Sequence, residues 1–240
     1  MLSRLGWKVI ALAACGSLGL AILAGLWLQI PDSHVWEFCV SMLLGLGMLI
    51  GLLWLKTSIV RRIRIGVGAT PQTMAIMAVW MVVGWGLAQS IEALSVHVVE
   101  RAGYWNSQLS AHQRAVFTET RLEAWQNDAI SALLWFVLPG LLLPVVIETV
   151  SGGGLKTVGR VYGRWQMWLT VGLATTLGCW LAEKLSDWHP AESVRGELMS
   201  AVGRFGLLYV ALLAIGLVAL AIVSELLARA DVRTDEGVRR

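Results

Sequence analysis

Six windows of the chain carry no Asp, Glu, Lys or Arg: 9–30, 38–55, 73–91, 129–147, 165–182 and 205–224. Each is 18 to 22 residues long. A bilayer core of about 30 Å needs roughly 20 helical residues, so each window is long enough to span one. None alternates apolar and polar positions as a barrel strand does, and a helix satisfies its own backbone in lipid. The pattern predicts an all-α fold: a polytopic integral membrane protein, a bundle of six transmembrane helices forming one domain over 1–240. The window 165–182 is the least apolar, since it carries Thr170, Thr175 and Thr176.

The connections are unequal. Pro31 opens a short outer turn, and Gly66, Gly68 and Pro71 mark a turn before the third span. The 97–128 segment is long and mixes Leu109, Val116, Phe117, Leu122 and Trp125 with charges and amides over 106–127. It is expected to be an extra interfacial helix or an extension of the fourth span, the alternative being a solvated leg of a hairpin. Asp128 is expected to cap the start of span four. Within that span Pro139, Gly140 and Pro144 form a candidate hinge, with a plain packing kink as the commoner meaning of such residues. Gly45, Gly47 and Gly51 in span two form a candidate helix-packing face, for a neighbouring helix of the same chain or of another. The run Ser151-Gly-Gly-Gly-Leu-Lys-Thr157 lacks the P-loop spacing and follows a helix, so it is expected to terminate that helix, with left-handed backbone at Gly152.

Composition supports this picture and charge orients it. Apolar residues make up 57% of the chain and charged residues 15%, with a mean hydropathy of +0.68, too few charges for a water-facing surface. Disorder, nucleic-acid binding and a disulfide-stapled secreted fold are excluded on the same ground. With the N-terminus inside, thirteen of the nineteen Lys and Arg fall on inner segments, among them Lys56, Arg61, Arg62, Arg64, Lys156, Arg160, Arg164 and Arg229. Acids reverse the pattern, eleven outside and five inside. Both termini are therefore expected in the cytoplasm, at a bacterial inner membrane. Trp7, Trp54, Trp165 and Trp168 mark the inner interface, and Trp27, Trp36, Trp125, Trp180 and Trp188 the outer, while Trp80 and Trp85 are expected to pack inside. Leu12-Ala-Ala-Cys15 imitates a lipoprotein cleavage box, but the apolar stretch before Cys15 is too short for a signal core.

Chemistry is sparse. No ionisable side chain lies deep in a window. Glu92, Glu148, Glu183 and Glu225 stand at span ends, where interfacial anchoring is expected over acidic gating. Gln29, Gln89, Ser90 and Glu92 are the polar groups that could line a pathway. The histidines His34, His97, His112 and His189 all fall on outer segments without metal-ligand spacing, and no triad or nucleophile motif occurs. The expectation is therefore no cofactor, no metal site and no enzymatic activity. The function expected first is a non-enzymatic accessory or scaffold component that works through helix packing and lipid contact. A small permease or channel using the Pro-kinked fourth span is the alternative, and a membrane enzyme with a site on its outer face is the third. The expected partners are the lipid bilayer, with anionic lipid at the inner basic loops, and a membrane protein or a second copy of the chain; nucleic acid is not expected.

Overall fold

A computed structural model describes residues 6–30, 34–186 and 194–238, and only the backbone at 186, 194–199 and 232–238. Pro31, Trp188, His189 and Glu192 lie outside the described residues. Among the described residues the secondary structure is helical throughout, with no strand. Ten α-helices follow in order: α1 (Trp7–Trp27), α2 (Val35–Ile65), α3 (Pro71–Glu92), α4 (Val98–Gln108), α5 (Ala111–Val116), α6 (Glu119–Ala132), α7 (Leu138–Ser151), α8 (Leu155–Tyr162), α9 (Trp165–Ser186) and α10 (Val194–Val238). A 3₁₀ turn joins α3 to α4, and a π turn at Leu133–Val137 joins α6 to α7. Five helical stretches are long and apolar enough to cross a membrane: Trp7–Trp27, Val35–Ile65, Pro71–Gln108, Glu119–Ser151 and Ser200–Asp231. α9 has the length but not the hydropathy, diluted by Gln166 and its three threonines.

Contacts divide the chain into two units, Met1–Ala78 with Leu143–Arg240, and Val79–Leu142. In the first, α1 runs antiparallel to α2. Trp27 Nε1 donates to the Ser41 hydroxyl at 2.7 Å at one end, and Leu20 and Leu55 meet Gly51 and Gly16 further along. α10 lies against both. Its Tyr209 hydroxyl stands 2.5 Å from Ser17 Oγ and 3.1 Å from the Ala14 carbonyl. The core of this unit gathers Val9, Ala13, Leu55, Ile59, Ile63, Leu217 and Ala221. It joins the start of α1, the second half of α2 and the middle of α10, so the predicted inner halves of α1 and α2 are packed. The other halves leave Leu18, Ile22, Leu26, Leu43 and Leu46 exposed. α9 is antiparallel to α10: Gly178 backs onto Leu212, while Gln166 shares a cleft with Leu226 and Arg229.

The second unit is built on a helical hairpin. α4 and α6 bury Val98, Ala102 and Leu122, and the rings of Phe117 and Trp125 meet edge to face at 5.6 Å. Asn106 Nδ2 donates to the Phe117 carbonyl at 2.8 Å across the turn. Ser110 caps α5 reciprocally with Gln113, and Thr118 caps α6 by accepting from the Arg121 amide.

Two expectations about element ends need correction. α2 continues ten residues past its uncharged window, through Lys56, Arg61, Arg62 and Arg64, and stops at Gly66, whose φ is +79°. Charge ends a lipid-compatible window, whereas here a left-handed glycine ends the helix. Asp128 is not a cap; it lies inside α6, which Thr118 starts. The 97–128 segment holds α4, α5 and most of α6, and α6 runs unbroken into span four, so the extension alternative fits this part of it. Gly152 does adopt left-handed backbone, with φ +82°, and ends α7.

Candidate functional site

The densest set of polar interactions lies where the ends of α2, α7 and α10 meet α8, all within the first unit. α2 brings Arg64 to its last turn, where a cation also suits the negative end of the helix dipole. α7 ends with Glu148 one turn before Gly152, and the left-handed turn at Gly152 folds the chain back so that the Gly153 amide donates to the Glu148 carbonyl at 2.8 Å. The Glu148 side chain is 1% exposed and that of Arg64 10%. Arg64 Nε and Nη2 each reach one Glu148 carboxylate oxygen at 3.3 Å, a two-point contact. The same Nη2 donates to Asp231 on α10. Asp231 in turn accepts from the Thr157 hydroxyl of α8 at 2.7 Å.

One guanidinium thus serves two carboxylates from two other helices, and a hydroxyl from a fourth completes the set. The burial of Glu148 makes the pairing obligatory, because an unpaired carboxylate out of water costs several kcal/mol, on the order of 3–5 when one partner of a buried pair is removed. Gly153 is part of the same geometry. A Cβ at that position would overlap the Glu148 carboxylate, so the close approach requires glycine. The cluster borders a cleft of about 420 Å³ whose walls include Ser151, Gly152 and Gly153. Ser151 Oγ is buried there with no hydrogen-bond partner among the described residues, as are Thr57, Ser58 and Ser224 Oγ elsewhere in this unit. At the last residue of α8, burial pushes the Tyr162 phenol above its ordinary pKa, and the Tyr162 carbonyl accepts from Trp168 Nε1 at 3.0 Å. The arrangement cross-braces helix ends.

The sequence pointed elsewhere. Glu148 was expected to anchor at the interface as an exposed span-end acid, whereas it is buried and paired. The other span-end acids do behave differently from it: Glu92 accepts from Gln89 Nε2 at 3.2 Å in an exposed position, Glu183 is exposed, and Glu225 pairs with Arg229 at 3.2 Å. A usable signal was present. The inner segments hold few acids among many bases, so each inner acid has nearby cations to pair with, and Glu148 and Asp231 are two of them.

The remaining candidates separate. Gly51 is the member of its face that meets the chain itself, with Leu20 Cδ2 3.2 Å from where a Cβ would stand; Gly45 and Gly47 border open space. The π turn ends two residues before Pro139, whose missing amide and ring interrupt the helical ladder. Gly140 and Pro144 are buried further along α7. Of the pathway candidates, Gln89 and Glu92 bond to each other, Ser90 donates to the Gly86 carbonyl of its own helix at 2.8 Å, and Gln29 is exposed beyond the end of α1. Trp85 is 68% exposed, against the expectation that it packs. His34 caps α2 together with Glu37, His97 Nδ1 lies 3.0 Å from Glu100 Oε2, and His112 is exposed on α5. Among the described residues no three His, Cys, Asp or Glu gather at metal-binding distance. No protein-family model, curated protein or solved structure matches the chain.

Proposed function

We propose that the protein is a six-span component of a bacterial inner membrane with both termini in the cytoplasm, and that it acts as a non-enzymatic accessory or scaffold subunit through helix packing and lipid contact. The observation that carries this reading is the Arg64–Glu148–Asp231–Thr157 brace. Glu148, whose side chain is 1% exposed, is spent on Arg64, and Arg64 and Thr157 together hold Asp231, tying helix ends together. A subunit that presents helix faces to partners needs that rigidity.

The brace also supports the span count. Arg64 ends α2 and Glu148 ends α7, and the two touch, so the chain between them leaves one side and returns to it. Thr157 and Asp231 impose the same condition on the excursion through α9 and α10. On the six-span reading each excursion takes two crossings, and the antiparallel α1 and α2 supply two more. That reading has α9 cross despite its threonines, the hydroxyls of Thr170 and Thr175 donating to the Gln166 and Val171 carbonyls of their own helix at 2.7 and 2.8 Å. Within the five apolar stretches only 6–22% of the most apolar window is buried, and a surface of that kind needs lipid or partner helices to cover it. The open backbone at Gly45 and Gly47 offers one such partner face.

Purification of the full chain in a mild detergent, with identification of what accompanies it, tests this function. Stable co-purification of a membrane protein or a second copy is expected. A lone monomer carrying neither lipid nor partner overturns the reading. A reporter fused after Arg240 tests the topology, and a signal from the outer side overturns it.

A further inference from the structure

The groove between α9 and α10 has a polarity that the brace does not use. Along its length it is apolar, walled by Leu169, Leu173, Leu177, Val218 and Ile222, with a volume of about 640 Å³. At the predicted inner end it opens into a polar cleft of about 410 Å³ formed by Arg164, Arg229, Gln166 and the backbone at Gly163. Arg164 donates one Nη1 bond to the Leu226 carbonyl at 3.2 Å, which fixes the guanidinium at the mouth, and its other N–H groups have no partner among the described residues. Arg229 pairs with Glu225 at 3.2 Å. Two guanidiniums against one carboxylate leave the cleft positive, at the positive end of the α9 dipole. Trp165, 69% exposed, stands beside it at the level where an indole suits lipid headgroups.

We infer that this groove binds an anionic glycerophospholipid of the cytoplasmic leaflet, its phosphate at Arg164 and Arg229 and one acyl chain along α9. The dimensions agree. From Gln166 to Leu177 the apolar wall rises about 16 Å at 1.5 Å per residue. That is close to half of a hydrocarbon core about 30 Å thick, the reach of one leaflet. Arginine forks match phosphate oxygens at two points, which gives the headgroup end its preference for a phosphate that carries net charge. The inference rests on the membrane reading above and makes it specific: lipid contact becomes one site with a headgroup preference.

The test uses the full chain in mild detergent with equimolar palmitoyl-oleoyl phosphatidylglycerol and phosphatidylcholine, and native mass spectrometry counts the lipid retained. Phosphatidylglycerol is expected to be retained in preference. With a surface basic residue contributing at the usual scale, Arg164→Gln with Arg229→Gln lowers its retention about 30-fold and leaves phosphatidylcholine unchanged. Ala174→Trp, which fills the groove and keeps both arginines, lowers both lipids. Arg164→Lys with Arg229→Lys preserves most of the preference. Equal retention of the two lipids, survival of the preference in the glutamine pair, or equal loss in the lysine pair overturns the inference. Displacement of the lipid by soluble glycerol phosphate also overturns it, by assigning the cleft to a free phosphate. Alkaline carbonate separates this from the larger reading. A chain released from membranes by carbonate sinks both, and a chain that resists it but shows no preference sinks only the lipid site.

Discussion

Replacing Arg64 with Gln removes the one cation between Glu148 and Asp231. The carboxylate of Glu148, 1% exposed, then has no ion partner among the described residues, and the cost expected for breaking a buried pair from one side is about 3–5 kcal/mol. The Asp231 arm adds little, because its side chain is 43% exposed and water screens it, so it contributes at most about 1 kcal/mol. Glu148→Gln is milder than Arg64→Gln. It leaves the guanidinium its contact with Asp231 and keeps an amide oxygen that can still accept from it. Asp231→Asn is the mildest, costing about the screened ion pair and part of the Thr157 hydrogen bond. The predicted order of destabilisation is therefore Arg64→Gln, Glu148→Gln, Asp231→Asn. Thermal unfolding in detergent, followed by size-exclusion of the fluorescently tagged chain, reads this order directly. At the usual scale for a chain of this size, Arg64→Gln lowers Tm by roughly 10 °C. The double variant Arg64→Met with Glu148→Met removes both charges and is expected to recover most of that loss. A Tm within 2 °C of the parent for Arg64→Gln (a shift of about half a kcal/mol), or Asp231→Asn more damaging than Arg64→Gln, would show that the brace does not hold the helix ends.

Gly153→Ala pushes a methyl group into the Glu148 carboxylate and costs about 1–3 kcal/mol; in a Glu148→Ala background the same change is nearly silent, a non-additivity that a double-mutant cycle measures. Gly66→Ala meets no side chain but forces φ +79° on an alanine, so about 1 kcal/mol is lost to backbone strain alone, detectable as a Tm drop that Gly68→Ala does not share. Tyr209→Phe removes the hydroxyl that joins α10 to Ser17 and the Ala14 carbonyl of α1 and costs about 1 kcal/mol, with faster hydrogen exchange at the start of α1 as its local signature.

The helices were legible because each apolar window is set by a local property, the absence of charge over one bilayer thickness. Their true ends were less so. Lys56 closes the second window, yet Thr57, Ser58, Ile59, Val60 and Ile63 are buried, so packing carries α2 on to the first glycine that can turn left-handed. Asp128 resembled a cap because a charged stretch ends there, but α6 has no breaker between Glu119 and Ala132, and the cap belongs to Thr118. Gly152 was legible for the opposite reason: a triple glycine after a helix has few other uses. The brace was hidden by distance along the chain. Arg64 and Glu148 are 84 residues apart and Arg64 and Asp231 are 167 apart. Read locally, each is only a basic loop residue or a span-end acid. Their partnership exists because three helices end at one level, which is a property of the topology.

That same topology changes how α9 is weighed. Hydropathy rates a helix as if it stood alone in lipid, and on that scale Gln166, Thr170, Thr175 and Thr176 count against it. Folded, Thr170 and Thr175 return their hydroxyl hydrogens to carbonyls of α9, which removes most of the cost of a hydroxyl in hydrocarbon. On the six-span reading Gln166 lies at the headgroup end of the α10 groove, where an amide is wetted. Of the polar groups that dilute α9, Thr170 and Thr175 are thus answered by its own backbone and Gln166 sits at its end. On the six-span reading it is carried across by α10, whose apolar face it shares. Replacing Thr170 and Thr175 with valine separates the two views. If hydropathy governed insertion, the more apolar helix would insert better and the parent would insert poorly. If packing on α10 governs it, both insert fully, and a cysteine placed at position 183 is labelled from the outer side to the same extent in each.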